Sequence, residues 1–220
     1  MKYVVMCGGQ YDDFKIPKAY TEINGEKLVN RTIRLLKENG ADDICISSNN
    51  KLFDNCGVPR LEHENSYHVV FTEKGKVLKG YWIDAFYPHF SDDTKVAYLF
   101  GDVYYSPEAI KTIVNCQRSG NILFGSGAAK NALHKNWGEP FAYIVNDYKT
   151  FMNGVSAVKK LQDEGKLLRV ALVWELYRYL NNLDVNVQAV LDETYIAIDD
   201  ETIDIDAPWQ IEKLNKAVSQ

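Results

Sequence analysis

The segment CGGQYDDFKIPK near the start of the chain carries two adjacent glycines and two lysines. Gly8 and Gly9 lack Cβ atoms, so the backbone there can turn sharply and bring its N–H groups against a phosphate or the edge of a base. Lys15 and Lys18 supply cations, and ammonium groups beside a polyphosphate offset the charge that develops during phosphoryl or nucleotidyl transfer. The segment therefore indicates a phosphate-binding loop, with a solvated surface turn as the alternative.

The spacing of this segment excludes two common glycine motifs. It is neither GxxxxGK[ST], the loop of P-loop proteins, nor GxGxxG, the turn of dinucleotide-binding proteins. Gln10 follows the glycines directly, and we include it with Gly8 and Gly9 among the candidate nucleotide-binding residues.

Asp102 directly follows the apolar run KVAYLF and a glycine. The run predicts a strand buried on both faces. A carboxylate at the carboxyl end of such a strand is a usual ligand that holds Mg²⁺ against a phosphate. The alternative is an aspartate that caps the next helix, but Ser106, which precedes a proline, is the better-placed cap. We therefore favour a metal-binding role for Asp102.

Two further aspartates, Asp204 and Asp206, alternate with Ile203 and Ile205 near the end of the chain. On a strand, both carboxylates would face one side while the isoleucines face the core. Together with Asp102, they could complete a site for a divalent cation. The alternative is an exposed strand edge within the acidic stretch DDETIDID.

Composition limits the classes of function. The chain has 220 residues, of which 46% are hydrophobic, as expected for one globular domain. Its net charge of -5 and the lack of a long basic run argue against nucleic acid as a partner. The four cysteines are scattered, which favours reduced thiols in the cytoplasm. Because no apolar run approaches the length of a membrane span or of a signal-peptide core, we expect no membrane insertion and a cytoplasmic location.

The order of apolar and polar residues predicts strands that alternate with helices. Strands are predicted in the stretches YVVM, DDICISS, YHVVFTE, KVAYLF, NILFG, FAYIV, VQAVL and TYIAI. The predicted helices include an aromatic-rich one over residues 77–90, two over 147–164 and 167–180, and a last one with Pro208 in its first turn. This alternation indicates a single α/β domain with a mostly parallel sheet covered on both faces. Ligands of such sheets bind beyond the carboxyl ends of the strands, where the glycine loop and Asp102 lie.

These features together resemble a known family. The glycine loop with its Pro-Lys, the strand that ends in Gly-Asp and the late DID element before a proline are similar to the nucleotidyltransferases, which include sugar-phosphate nucleotidylyltransferases and cytidylyltransferases of phosphorylated small alcohols. The resemblance spans nearly the whole chain. It implies a Rossmann-like α/β/α sandwich with a mostly parallel mixed sheet over residues 1–220. It also implies a reaction that joins an NTP to a phosphorylated acceptor and releases pyrophosphate.

The resemblance implies roles for the residues of the first half. Gly8 and Gly9 would contact the nucleotide, Lys18 would contact phosphate, and Asp102 would bind Mg²⁺ as the cofactor. The family's loop commonly reads GxGxR before the Pro-Lys, whereas here no arginine is present. Lys15 could replace it as a point charge, but an ammonium group cannot make the two-pronged contact of a guanidinium group.

The resemblance also extends to two later segments. Asp206 matches the family's late metal-binding aspartate best, with Asp204 as the alternative. The stretch KGKVLKGYWIDAF is similar to the family's second segment near the nucleotide, which suggests Gly75, Lys79 or Gly80 near the base.

The acceptor is expected to bind mainly within residues 125–200. The candidate contacts are Lys130, Lys135, Trp137 and Glu139 of the polar stretch GSGAAKNALHKNWGEPFAY, together with Glu175 of a later apolar helix. An ordinary surface loop explains the polar stretch equally well. Trp and Tyr on the apolar helix are more often core residues, so Glu175 is the member whose burial would need an explanation.

Three hypotheses follow from these residues. The first is a Mg²⁺-dependent nucleotidyltransferase, with CTP as the guessed nucleotide and a phosphorylated sugar or small alcohol as the acceptor, in glycan biosynthesis by analogy with the family. The second is a non-catalytic module of the same fold that binds a nucleotide or a sugar phosphate. The third, a nucleotide-sugar glycosyltransferase, is disfavoured because Asp102-Val103-Tyr104 lacks the second aspartate of a DxD motif. The sequence leaves open whether the chain is a monomer or a homodimer.

Overall fold

The computed structural model describes residues 1–73, 75–127 and 138–218, without the side chains of residues 10, 71, 76, 217 and 218. The strands are β1 (Lys2–Met6), β2 (Gln10–Tyr11), β3 (Glu22–Ile23), β4 (Glu26–Lys27), β5 (Ile44–Ser47), β6 (Arg60–Leu61), β7 (His68–Thr72), β8 (Gly75–Lys79), β9 (Val96–Phe100), β10 (Val103–Tyr104), β11 (Ile122–Ser126), β12 (Pro140–Val145), β13 (Tyr195–Ile198) and β14 (Ile203–Asp204). The α-helices are α1 (Leu28–Glu38), α2 (Pro107–Val114), α3 (Tyr148–Asp163), α4 (Val173–Leu180) and α5 (Pro208–Val218). Short 3-10 helices span Lys18–Tyr20, Lys51–Asn55 and Trp82–Ala85.

A central sheet organises the domain. Within the described residues it has seven strands in the order β13-β11-β12-β9-β1-β5-β6. The pairs β1–β5, β1–β9, β5–β6 and β11–β13 are parallel, and β12 runs antiparallel to both of its neighbours. Every residue of β9 is buried, as its unbroken apolar sequence predicts for a strand in the middle of such a sheet. The predicted mostly parallel α/β sheet is therefore confirmed.

The antiparallel direction of β12 matters for the site. In a wholly parallel sheet, the residues before β12 would lie at the opposite edge from the carboxyl end of β9. In the structure Ala142 pairs with Leu99 and Val145 with Val96, so the start of β12 lies beside the end of β9. Glu139, which directly precedes β12, is consequently brought towards Asp102, which follows β9.

A second strand pairing fastens the late acidic segment to the same place. The short strands β10 and β14 pair antiparallel, with Val103 opposite Asp204. The backbone N–H of Ile205 donates a hydrogen bond of 3.0 Å to the carbonyl oxygen of Asp102. Ile205 is fully buried in a small apolar cluster with Ile23, Leu28 and Tyr104. The acidic segment is thus held against the end of β9 by backbone hydrogen bonds and by burial.

Residues 77–90 are not helical, contrary to the sequence-based prediction. β8 continues to Lys79 and forms a three-stranded sheet in the order β2-β7-β8 beside the central sheet, and only Trp82–Ala85 make a short 3-10 helix. Gly80 has a φ of +71°, which ends the strand in a turn that favours glycine. The aromatic residues of the stretch suggested the face of an α-helix. Instead, Ile83 of the short 3-10 helix and Phe86 directly after that helix join the main core.

The other predicted elements agree except at two places. The stretch VQAVL forms no strand, and α4 begins at Val173 rather than near residue 167. The predicted cap of α2 is present, because the Oγ atom of Ser106 accepts a hydrogen bond of 2.8 Å from the N–H of Ala109. Pro208 is the first residue of α5, as predicted. Within the described residues, none of the helices is both long enough and apolar enough to cross a membrane.

Candidate active site

The glycine loop and Asp102 lie side by side because they follow neighbouring parallel strands. β1 and β9 pair in register up to Met6 opposite Phe100. The N–H of Gly101 then donates a hydrogen bond of 2.9 Å to the carbonyl oxygen of Met6. A Cβ atom on Gly101 would lie 2.5 Å from that oxygen, so only glycine allows the approach. Gly8 and Asp102 therefore emerge at the same edge of the sheet.

Lys18 reaches this edge from a short 3-10 helix and is only 5% exposed. Its Nζ atom lies 3.3 Å from Oδ2 of Asp102 and 3.4 Å from Oδ1 of Asp206. The same atom lies 4.0 Å from the ring centroid of Tyr11 and 5.7 Å from that of Phe14. A buried ammonium group is thus held between two carboxylates and under two aromatic rings.

The charge of Lys18 is stabilised by its neighbours. Burial by itself lowers the pKa of Lys18, but the carboxylates of Asp102, Asp204 and Asp206 outweigh it and raise the pKa above its ordinary value. Lys18 is therefore a cation at neutral pH, at the end of the sheet.

Three carboxylates meet beside this lysine. Oxygen atoms of Glu139, Asp204 and Asp206 all lie within 4.8 Å of one another. Burial raises the pKa of Glu139, and the nearby Asp206 and Asp102 raise it further. Burial likewise raises the pKa of Asp204 well above its ordinary value, with Asp102 as the next cause. The site concentrates more negative charge than Lys18 alone can balance.

A divalent cation fits this arrangement. The Oδ1 atom of Asp204 is buried and has no hydrogen-bond partner among the described residues. A buried carboxylate oxygen without a donor is unfavourable unless a cation binds it. Hard oxygen ligands are the donors that Mg²⁺ and similar cations prefer. Glu139, Asp204 and Asp206 could therefore hold a metal ion. Asp102 contacts the same lysine as Asp206 does.

A cleft of about 760 Å³ lies beside Lys18, which is one of its lining residues. Its lining includes Gly8, Gly9, Tyr11, Lys15 and Asp102. A volume of this order suits a small-molecule ligand. Lys15 is exposed, in contrast to the buried Lys18. The structure thus brings the predicted glycines, both lysines and Asp102 to one cleft. Asp204 and Asp206 are not among its lining residues, and Asp206 adjoins the cleft through its ion pair with Lys18.

The small sheet places three other predicted nucleotide contacts differently. The backbone of Gln10 pairs with His68 in the strand pair β2–β7, and the side chain of Gln10 lies outside the described part. Lys79 is exposed at the end of β8, and Gly80 packs against the backbone of Ser66. Neither Lys79 nor Gly80 is among the lining residues of the cleft. The hairpin of β7 and β8 contributes to the cleft through His68, the first residue of β7, and through the residues directly before it.

Those residues, Asn65 and Tyr67, were missed from the sequence. A Cβ atom on Gly8 would lie 2.9 Å from the Nδ2 atom of Asn65, so this amide packs directly on the glycine loop. The ring of Tyr67 makes an edge contact with that of Tyr11 at 6.1 Å between centroids. Both residues line the cleft. No motif marks them, because their place depends on how β7 pairs with β2.

Glu175 has a structural role that differs from its prediction as an acceptor contact. It is only 1% exposed. Its carboxylate accepts hydrogen bonds of 2.8 Å from Nε of Arg169 and 2.9 Å from the N–H of Leu172, and it lies 3.6 Å from Nη1 of Arg178. These contacts cap the start of α4 and pair its charge. The carboxylate is therefore not available to a ligand.

The other acceptor candidates divide between two places. Glu139 belongs to the carboxylate cluster with Asp204 and Asp206, where it could bind a cation as well as an acceptor. Lys130, Lys135 and Trp137 lie outside the residues that the structure describes.

Known structures share this fold. No protein-family model and no curated protein sequence matches the chain. A Bacillus anthracis protein assigned as a glucose-1-phosphate thymidylyltransferase superposes with a TM-score of 0.64 at 13% identity, over 98% of this chain and 94% of its own. The CTP:phosphocholine cytidylyltransferase of Streptococcus pneumoniae gives 0.54 at 16% identity, over 99% and 98%. The 4-diphosphocytidyl-2C-methyl-D-erythritol synthase of Anaerococcus prevotii gives 0.54 at 14% identity, over 100% and 99%. The predicted single-domain, Rossmann-like fold is confirmed.

Proposed function

We propose that this chain is a metal-dependent nucleotidyltransferase that joins an NTP to a phosphorylated sugar or small alcohol and releases pyrophosphate. The observation that carries the proposal is the position of Lys18, which is buried between Asp102 and Asp206. Lys18 lines the same cleft as Gly8 and Gly9. The three solved structures named above bear the names of nucleotidyl-transferring enzymes and share the fold.

The reaction needs no nucleophile from the protein. An oxygen of the acceptor's phosphate attacks the α-phosphorus of the NTP, a new P–O bond forms, and the bond to the bridging oxygen of pyrophosphate breaks. The loop at Gly8 and Gly9 binds and orients the nucleotide, since reactants held in line react faster than free ones. Lys18 and Lys15 offset the charge on the transferring and leaving phosphates.

The carboxylates would hold the cation in this scheme. Asp102, Asp204, Asp206 and Glu139 are the residues in reach, and we propose Mg²⁺ as the ion. A divalent cation held by these residues would neutralise phosphate charge and help to orient the triphosphate. The proposal also includes CTP as the nucleotide and the cytoplasm as the location.

The test is the release of pyrophosphate. The protein is incubated with Mg²⁺, one of CTP, UTP, GTP, ATP or dTTP, and one acceptor from a panel of phosphorylated sugars and small alcohols. We expect release with CTP and one acceptor class, and its loss when the metal is chelated. Asp102→Asn keeps the shape of the side chain and removes the charge, so it should lower the rate by roughly 100-fold or more.

Two results would contradict the proposal. Nucleotide binding without pyrophosphate release from any pair would favour the non-catalytic binding module, which would agree with the loop's lack of arginine. A rate unchanged in Asp102→Asn would show that this carboxylate takes no part in the reaction.

A further inference from the structure

The backbone around Asp204 and Asp206 makes three further hydrogen bonds with one side chain of the following helix. The Oε1 atom of Gln210 accepts hydrogen bonds of 2.7 Å from the backbone N–H groups of both Asp206 and Ala207. The Nε2 atom of Gln210 donates a hydrogen bond of 3.2 Å to the carbonyl oxygen of Asp204. One amide group therefore bridges the backbone on both sides of Ile205.

Part of this contact pattern is an ordinary helix cap. Gln210 is the third residue of α5, and a glutamine at that position often bonds back to the N–H of the residue before the helix. The bonds to Asp206 and Asp204 are additional, because a cap needs only the N–H of Ala207. They connect the helix to the two residues whose carboxylates meet beside Lys18.

The helix itself is anchored without Gln210. Ile211 and Leu214 pack against the small apolar cluster that contains Ile23 and Ile205. At the other end of the helix, the Oδ1 atom of Asn215 accepts a hydrogen bond of 2.7 Å from the N–H of Asn24. Replacement of Gln210 should therefore leave α5 in place and free only the backbone of the acidic segment.

We propose that Gln210 is a positioning residue, which holds the backbone of Asp204 and Asp206 so that their carboxylates converge on one divalent cation. The inference rests on the proposed function for the role of that cation. The convergence is narrow, since the oxygens of Glu139, Asp204 and Asp206 lie within 4.8 Å of one another. Residues that orient metal ligands typically change metal affinity by 10-fold to 100-fold when they are replaced.

The test measures metal affinity without catalysis. Mn²⁺ alone is titrated into the protein in the absence of nucleotide, and the free ion is followed by electron paramagnetic resonance. Gln210→Met has a similar volume but makes none of the three hydrogen bonds, so it should weaken Mn²⁺ binding by about 10-fold. Gln210→Asn keeps the amide but shortens the side chain by one methylene, so it should weaken binding as well.

The matched control is Asn215→Ala, which removes a hydrogen bond of the same helix to the rest of the domain but leaves the acidic segment untouched. It should bind Mn²⁺ as the wild-type protein does. Where pyrophosphate release is detected, the Gln210 variants should need more Mg²⁺ for half-maximal rate, with the rate at saturating Mg²⁺ changed much less.

Several outcomes would overturn the inference. It is wrong if Gln210→Met and Gln210→Asn both bind Mn²⁺ like the wild-type protein, or if Asn215→Ala weakens binding equally, since loosening of α5 would then explain the effect. It is also wrong if the wild-type protein binds no Mn²⁺. Failure of the proposed function is distinct, because a protein that binds Mn²⁺ but transfers no nucleotide still shows the affinity difference.

Discussion

The Nζ atom of Lys18 lies 3.3 Å from the Oδ2 atom of Asp102, although the two residues are 84 positions apart in the chain. Lys18 is buried, and Asp102 lies two residues after the end of β9, the central strand of the sheet. The pair places a cation beside the carboxylates that could bind a metal ion.

Replacement of Lys18 should lower both the stability of the fold and the rate of nucleotidyl transfer. Lys18→Met keeps the apolar stem but leaves Asp102 and Asp206 without their cation. Because the Asp206 side chain is 60% exposed, the expected loss in the free energy of unfolding is about 2 kcal/mol, below the range for fully buried pairs. Pyrophosphate release should fall by roughly 100-fold or more, whereas Mn²⁺ binding should persist.

Lys15→Met is the comparison for stability, since Lys15 is exposed. Its free energy of unfolding should stay within about 0.5 kcal/mol of wild type. Denaturant unfolding measures both variants. Equal stability of Lys18→Met and the wild-type protein would show that the buried ion pair contributes nothing.

Asp204→Asn should change the response of the protein to metal. In chelator, the variant should be at least as stable as wild type, because the amide removes a buried charge that faces Asp102 and Asp206. Addition of Mg²⁺ or Mn²⁺ should raise the Tm of the wild-type protein, since a ligand of the native state stabilises it. The Tm of the variant should not rise. Asp42→Asn, an exposed change, is the control and should respond like wild type.

The buried carboxyl group of Asp204 should also make the stability of the protein depend on pH. Burial raises the pKa of Asp204 in the folded protein, so the folded state binds more protons than the unfolded state above the unfolded pKa near ~4. The stability of the metal-free protein should therefore fall as the pH rises from about 4 through the raised pKa. A flatter stability curve in Asp204→Asn would support this assignment, and identical curves would contradict it.

Gly80→Ala should disturb the hairpin that borders the cleft. Gly80 has a φ of +71°, and a Cβ atom there would lie 2.2 Å from the carbonyl oxygen of Ser66. Gly120 has a φ of +83° with nothing within 4 Å of its Cβ position, so Gly120→Ala reports the backbone strain alone, about 1 kcal/mol. Gly80→Ala should cost clearly more and should weaken nucleotide binding, since Asn65 and Tyr67 flank Ser66. Equal effects of both variants in unfolding and nucleotide titrations would contradict this.

Asp147 should stabilise the fold without affecting the site. Its Oδ1 atom accepts a hydrogen bond of 3.0 Å from the N–H of Thr150 at the start of α3. Loss of such a cap in Asp147→Ala should cost about 1 kcal/mol. Activity should be unchanged, because α3 follows the end of β12 that lies away from Glu139.

The helix cap at Asp147 also predicts a change of stability with pH, in the direction opposite to that predicted for Asp204. The hydrogen bond from the backbone of Thr150 lowers the pKa of Asp147 in the folded protein. The stability that the Asp147 carboxylate contributes is therefore fully present above its pKa in the unfolded chain, which is about 4. It is lost as the pH falls through its pKa in the folded protein. Asp147→Asn, which keeps the acceptor but not the charge, should lose this pH dependence and retain most of the stability. Thermal unfolding between about pH 2 and pH 7 measures both effects.

The sequence by itself determined the features that depend on neighbouring residues. The buried run of β9 was predicted from its unbroken apolar letters, and the start of α2 from Ser106 and the proline after it. The glycine loop and Asp102 were placed at the same edge because parallel strands deliver their carboxyl ends together. The alternation of strands and helices was enough to predict the class of fold.

Only the tertiary structure decided the features that depend on pairing between distant segments. The antiparallel direction of β12 brings Glu139 to the carboxylates, and the pairing of β10 with β14 brings Asp204 there. Local periodicity contains no information about which strand pairs with which, or in which direction. For the same reason residues 77–90 were mistaken for a helix. The site is thus formed by backbone hydrogen bonds between segments far apart in the chain, and these form only when the whole sheet does.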